Sequence, residues 1–343
     1  MVDKANLRFY RRNKNCGPIY GGDISNSITS RFYKRVRFPG TIVGVDIQNY
    51  IFNGGIGLFG GGSNGSELSF VERYNFFNNT VQTSTNLNYA VQQMGGVGSK
   101  NEAVFAGGQG TSSIISVIII QNFANNTSVE NNNTLSTARR ALAGISNLNE
   151  GVFSAGETSG GLTGTTDEIS FFSKTVSSGT EISVKKSLAG IGKREFGIFG
   201  GGYQPNPLVY YNTTEKYTYS NNSVLMGTNL GTQRGLVSAT SNSTTGIFFG
   251  GRNAFNNPLN TTDKYSLSND GVSTGTQITA RKDGAACGNQ IYGYISGGAG
   301  TSDEILRTSQ KYQYSSDSVS SATNLSYSRY AMAAASCVHG GLF

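Results

Sequence analysis

The chain has 343 residues, 47 of them Gly, and only 14% are charged, against about 25% in an ordinary globular domain. Gly is costly inside a helix, and Ser, Asn and Thr bond their own backbone, so a helical bundle, a coiled coil and a doubly wound α/β enzyme are excluded. The 19 Phe and 18 Tyr supply core material that a disordered chain lacks, and the net charge is +7, from 27 basic and 20 acidic residues.

The first fifteen residues, MVDKANLRFYRRNKN, contain no apolar stretch of the kind a secretory signal needs. Residues 1–37 hold nine cations against two acids, +7, which equals the charge of the whole chain. Residues 1–15 therefore read as a basic arm that docks on an acidic surface: Lys4, Arg8, Arg11, Arg12 and Lys14 supply charge, and Phe9 and Tyr10 supply packing. Residues 16–343 read as one repeat domain. The longest apolar run, Ile114 to Ile120, is too short to span a bilayer, so no membrane insertion is expected.

Two markers recur along that domain. An apolar strand ending in small residues places its marker at Gly60, Gly107, Ala155, Gly200, Gly250 and Gly297. An aromatic strand followed by an Asn, Ser or Asp turn then leads to Val81, Val129, Val176, Val224, Val272 and Val319. Both keep a period near 48 residues. Each unit reads as four short strands, an opening one preceded by Arg (Arg140, Arg234, Arg281, Arg329), with turn residues that tolerate positive φ. Four strands at this period make a propeller blade.

These residues resemble the kelch repeat: Arg, an apolar strand, Gly-Gly, then Tyr before the last strand. The resemblance implies an all-β, kelch-like β-propeller. It departs where Val replaces the family's Trp, and where Asn122 and Ile169 stand at the Tyr position. Ile19-Tyr20-Gly21-Gly22 and Phe32 to Val36 copy later strands of a unit, and Arg329 to Cys337 copies an opening strand. Joining them in one blade predicts seven blades, with six as the alternative.

Chemistry has few candidates. One His, no Trp, and Cys16, Cys287 and Cys337 without CxxC spacing argue against disulfides and a Cys/His zinc site. His339 is expected to be a closure or surface residue, and Cys287 and Cys337 buried free thiols. Asp167-Glu168 and Asp303-Glu304 read as solvated loop pairs. The GxSxG at Gly61–Gly65 and the GxGxxG at Gly55–Gly60 read as repeat punctuation. No catalytic, cofactor-binding or metal-binding residue is assigned, and the chain is not expected to be an enzyme. The loops after the diglycines carry the expected binding face: Tyr203, Gln204, Tyr210 and Tyr211 on one, Arg252, Asn253 and Phe255 on its neighbour.

The Gly-, Asn-, Ser- and Thr-rich composition with degenerate repeats is similar to kelch-like structural proteins of tailed phages, including cyanophages. That resemblance implies a tail-associated virion protein, assembled in the host cytoplasm. Its arm would bind other virion proteins and its propeller face a host-surface receptor or glycan, with no specific nucleic acid. The alternative is an intracellular, cytoplasmic kelch-type protein-interaction module; a carbohydrate-binding or hydrolytic propeller is a weaker one.

Overall fold

The computed structural model describes residues 55–342. They form six four-stranded antiparallel sheets, the blades of a β-propeller. The inner strands are Ala333–Ser336 in blade 1, then Gly95–Gly98, Ala143–Ser146, Ala189–Gly192, Ser238–Ser241 and Ala285–Gly288 in blades 2 to 6. Each inner strand touches the next around a closed ring. Blade 1 is composite: the C-terminal strand pairs with Ile56–Gly60, which pairs with Val71–Asn75 and then Thr80–Thr83. A strand from one terminus thus closes on three from the other, as expected, but the ring has six blades, not seven. The reason lies in which strands the last one meets: it pairs with the first complete repeat. Ile19–Gly22 and Phe32–Val36 lie outside the described residues.

Small residues on the inner strands let six sheets converge. The second residue of each inner strand, Ala334, Gly96, Gly144, Gly190, Ala239 or Ala286, lies opposite Phe59, Phe105, Phe153, Phe199, Phe248 or Ile295 on the neighbouring strand. Those six large side chains are buried, so bulk on the second strand is matched by its absence on the first. The last residue alternates Gly98, Ser146, Gly192, Ser241, Gly288, Ser336. Each Ser hydroxyl donates to the Gly carbonyl of the preceding blade, at 3.0, 2.8 and 2.7 Å. A Cβ at Gly192 would stand 2.5 Å from the Ser146 carbonyl, and one at Gly98 would meet the Ser336 carbonyl, while at Gly288 it would meet the Tyr292 carbonyl of its own blade, so none of the three admits a side chain.

A second ring encircles the axis at the end bearing the post-diglycine loops. Gln93, Ala141, Ser187, Leu236, Asp283 and Ala331 precede the six inner strands, and all have φ between 53 and 57°. The N–H of each donates to the carbonyl of its counterpart in the blade before it, at 2.8 to 3.1 Å, and the sixth bond returns to the first residue. Six residues in a sparsely occupied conformation are held there by a cyclic set of hydrogen bonds.

Four positions before the inner strand, five of the six blades carry a basic residue that is buried and bonded within its own blade. Arg139 pairs with Asp167, Lys185 with Glu215, Arg234 with Asp263 and Arg329 with Glu72, at 2.6 to 2.8 Å. The expectation of Arg140 at this position is off by one, because two arginines are adjacent; Arg140 is part-exposed and pairs with Glu157. In blade 6 the acid is replaced by Gln310, whose amide oxygen accepts from Arg281; Arg281 also bonds the Gly297 and Thr308 carbonyls, and burial pushes its guanidinium down to about 10. Blade 2 places buried Val91 and Ile119 at the two positions. Asn122 is likewise one residue from the tyrosine position. The residue opposite Ala103, as Tyr74 is opposite Gly57, is Gln121, whose amide donates to the Thr85 carbonyl. Ile169 does stand at that position in blade 3 and is buried.

Candidate interaction face and axial channel

The two predicted loops lie side by side and are joined through their bases. Tyr203–Pro205 and Leu208–Tyr210 form a short hairpin in which Tyr203 faces Tyr210, the rings stacked 5.2 Å apart and both buried. The Arg252 guanidinium from blade 5 sits 5.0 Å from the Tyr203 centroid and 6.0 Å from that of Tyr210, and Lys186 approaches Tyr203 at 5.4 Å. Leu236 completes this cluster. Tyr203 and Tyr210 are therefore inter-blade packing rather than exposed contacts.

The polar residues of the loops brace them. Tyr211 donates its hydroxyl to the Gln204 amide oxygen at 3.2 Å, and Gln204 donates to the Asn206 carbonyl at 3.0 Å. Asn253 accepts from the Phe255 and Asn257 N–H groups, while Arg252 donates to Asn256 at 2.6 Å. What the braced loops present is apolar. Phe255 is 84% exposed, and Leu208 and Val209, for which the sequence carries no expectation of contact, are exposed on the neighbouring tip. Their one signal is the Pro-Leu-Val run between two tyrosines that pair with each other. The arm residues Lys4, Arg8, Phe9, Tyr10, Arg11, Arg12 and Lys14 lie outside the described residues.

The axial channel encloses about 60 Å³ between the inner strands, lined by Gly, Ala, Ser, Thr, Val, Ile and Cys287, with His339 at one end. Past the last inner strand the chain crosses that end as a strap, finishing in a 3-10 turn at Gly340–Leu342. Cys337 and the strap that follows it together meet every blade. Cys337 N–H donates to Ile56 in blade 1, His339 Nε2 lies 2.8 Å from the Gly98 carbonyl in blade 2, and 3.1 Å from Ser146 Oγ in blade 3. A Cβ on Gly340 would collide with the Asn242 and Gly192 carbonyls of blades 5 and 4. Gln290 of blade 6 donates to the Val338 carbonyl at 3.1 Å. His339 Nδ1 accepts the Gly341 N–H at 3.1 Å. That bond leaves the proton on Nε2, where Gly98 accepts it.

At the opposite end, burial raises the Asp283 carboxyl to about 6, although Arg252 and Lys282 oppose the shift. Elsewhere, Asp167 and Glu168 are not solvated as expected: both are buried, Asp167 against Arg139 and Glu168 accepting the Tyr217 hydroxyl. The reason is that the strand Gly161–Ser170 extends through them. Asp303 and Glu304 are exposed, Asp303 pairing with Lys282 at 2.7 Å. Cys287 and Cys337 are buried free thiols, and burial pushes both up. Ser63 is buried in its loop and accepts the Gly65 N–H at 3.2 Å.

A second hollow of about 340 Å³ lies between residues 132–136 and the outer strand of blade 3, and its carboxylate, Asp167, is engaged by Arg139 and by the Ser136 N–H. Among the described residues no three His, Cys, Asp or Glu side chains converge as a metal set, and no helix is long and apolar enough to cross a membrane. No family model matches the chain, and no curated protein sequence matches it.

Proposed function

We infer that this chain is a kelch-like virion structural protein, tail-associated, whose business is contact between surfaces. One observation carries the reading: the axis is ringed at one end by a cyclic set of hydrogen bonds and crossed at the other by the strap, and the channel between them holds only about 60 Å³. Surface for a partner is then offered by the outer faces, and the loops of blades 4 and 5 hold Leu208, Val209 and Phe255 out on braced tips. Rigid presentation lowers the entropic cost of association. The concentration of net charge in residues 1–37 supports a separate anchoring role for the arm. The Gly- and Asn-rich repeat composition supports the particle setting.

The experiment is to purify phage particles produced from the genome that encodes this chain and to probe them for it. Full-length protein should co-sediment with particles, and protein lacking residues 1–15 should fold yet be missing from them. Full-length protein absent from the particles would refute the virion reading. Normal incorporation without the arm would refute the anchor and leave the loop face as the docking surface.

A further inference from the structure

We propose that residues 338–342 form a proton-released latch, in which a second proton on His339 frees the strap from the end of the axial channel while the six-bladed ring stays closed. The geometry gives the imidazole two opposed duties. Nδ1 must accept from the Gly341 N–H, and Nε2 must donate to the Gly98 carbonyl. Only the neutral tautomer with its proton on Nε2 does both. The imidazolium carries a proton on Nδ1 that points at the Gly341 N–H, so a hydrogen bond becomes a contact between two donors. The strap has little room to shift and relieve it: a Cβ built on Gly340 would collide with the Asn242 and Gly192 carbonyls, and one on Gly341 with the Ser146 carbonyl, so its backbone lies close against these blades. Its alternatives are to hold or to leave.

The ring does not depend on the strap. Ala333–Ser336 is bonded to Ile56–Gly60 before the strap begins, and the six-residue hydrogen-bond ring lies at the other end of the axis. The charged residues on the elements around the imidazole are Lys100 and Glu102 beyond the blade 2 inner strand, Glu150 beyond that of blade 3, and Lys193, Arg194 and Glu195 beyond that of blade 4. The corresponding turns of blades 5 and 6 carry Ser243, Thr244, Gln290 and Ile291, with Tyr292 following; on the strap's own side stands Cys337, a buried neutral thiol. None of them sets the imidazole's affinity. Burial lowers His339 to about 4, and the Gly98 carbonyl opposes the shift.

His339 is the only histidine, so its ring signals in the full-length protein need no assignment. We expect the Nε2–H tautomer at pH 7 and a titration midpoint well below 6.5. Hydrogen exchange of the peptide spanning the strap, corrected for the intrinsic pH dependence, should accelerate across that same transition. The limit is roughly 300-fold, because the latched imidazole holds its proton that much more weakly than a free one does. Peptides from the inner strands should keep their protection. His339→Gln supplies a donor and an acceptor that do not titrate, and its strap should stay protected at both pH values. A ring that titrates near 6.5 would overturn the latch. So would strap exchange unchanged across the titration, inner strands opening together with the strap, or a Gln variant that opens at the same pH.

Discussion

The four buried ion pairs show what one position demands of a side chain. A buried cation with its acid removed is left uncompensated, and the usual cost is about 3–5 kcal/mol. Asp263→Ala, which strands Arg234, should lower the free energy of unfolding by that order in a denaturant titration. Replacing both partners by an apolar pair is often neutral, and blade 2 already does so with Val91 and Ile119. The double variant Arg234→Val/Asp263→Ile should therefore recover most of the loss; a double variant as weak as the single one would contradict this reading. Backbone conformation is as demanding. Gly250 has φ +55°, and a Cβ there would lie 2.5 Å from the Arg281 carbonyl, so Gly250→Ala should cost more than about 1 kcal/mol in the same assay. Ala155 occupies the equivalent place in blade 3 with φ 61°, so one blade does carry a Cβ in this conformation.

At the scale of elements, the two ends of the axis titrate in opposite senses. His339 has a folded pKa of about 4, below its ordinary 6.5. Its contribution to stability is complete above 6.5 and is lost as pH falls toward 4. Asp283 has a folded pKa of about 6, above its ordinary 3.8. Its contribution is complete below 3.8 and is lost as pH rises toward 6. The limits are about 3.4 kcal/mol for His339 and about 3 kcal/mol for Asp283, and the windows overlap, so between pH 4 and 6 the two slopes oppose. Removing one should unmask the other. Asp283→Asn should gain stability with rising pH in this window, and His339→Gln should lose it, both read as denaturation midpoints at pH 4, 5 and 6. Parallel profiles for the two variants would contradict the assignment.

Strand order and turn chemistry were legible because they recur. Asn79, Asn126, Lys174, Asn222, Asp270 and Asp317 all take positive φ in the turn before the outer strand, and the Asn and Asp among them announced it. Register was less legible: Arg139 is hidden beside Arg140, and Gln121 beside Asn122, because adjacent residues of similar type mask a shift of one that only pairing with the next strand reveals. The strap occurs once, so no period points to it; Gly340-Gly341 after the last inner strand is its one signal.

Over the whole molecule, the disputed quantity is the number of blades. Repeat-like residues at Ile19–Gly22 made a seventh blade plausible, and spacing alone could not refuse it, since Val36 to Gly60 spans an interval that other units share. Pairing decides what spacing does not. Ala333–Ser336 lies against Ile56–Gly60, and the inner strand of blade 1 touches that of blade 2. The ring is then complete in residues 56–336, and the chain divides between Ile51 and Phe52. Closure leaves no inner edge unpaired, which a truncated ring would expose. Removing Tyr327–Phe343 should thus cause aggregation, because the Ile56–Gly60 strand loses its partner; a truncated protein that remains monomeric with an unchanged melting temperature would count against closure. The most direct measurement compares the fragment 52–343 with the full chain by size-exclusion chromatography and thermal unfolding. A six-bladed ring closed by its own last strand predicts a monomeric fragment with the same strand-rich circular dichroism and a melting temperature within a few degrees of the full chain. A fragment that aggregates, or that melts without a cooperative transition, would show that residues 1–51 supply part of the ring, as seven blades require.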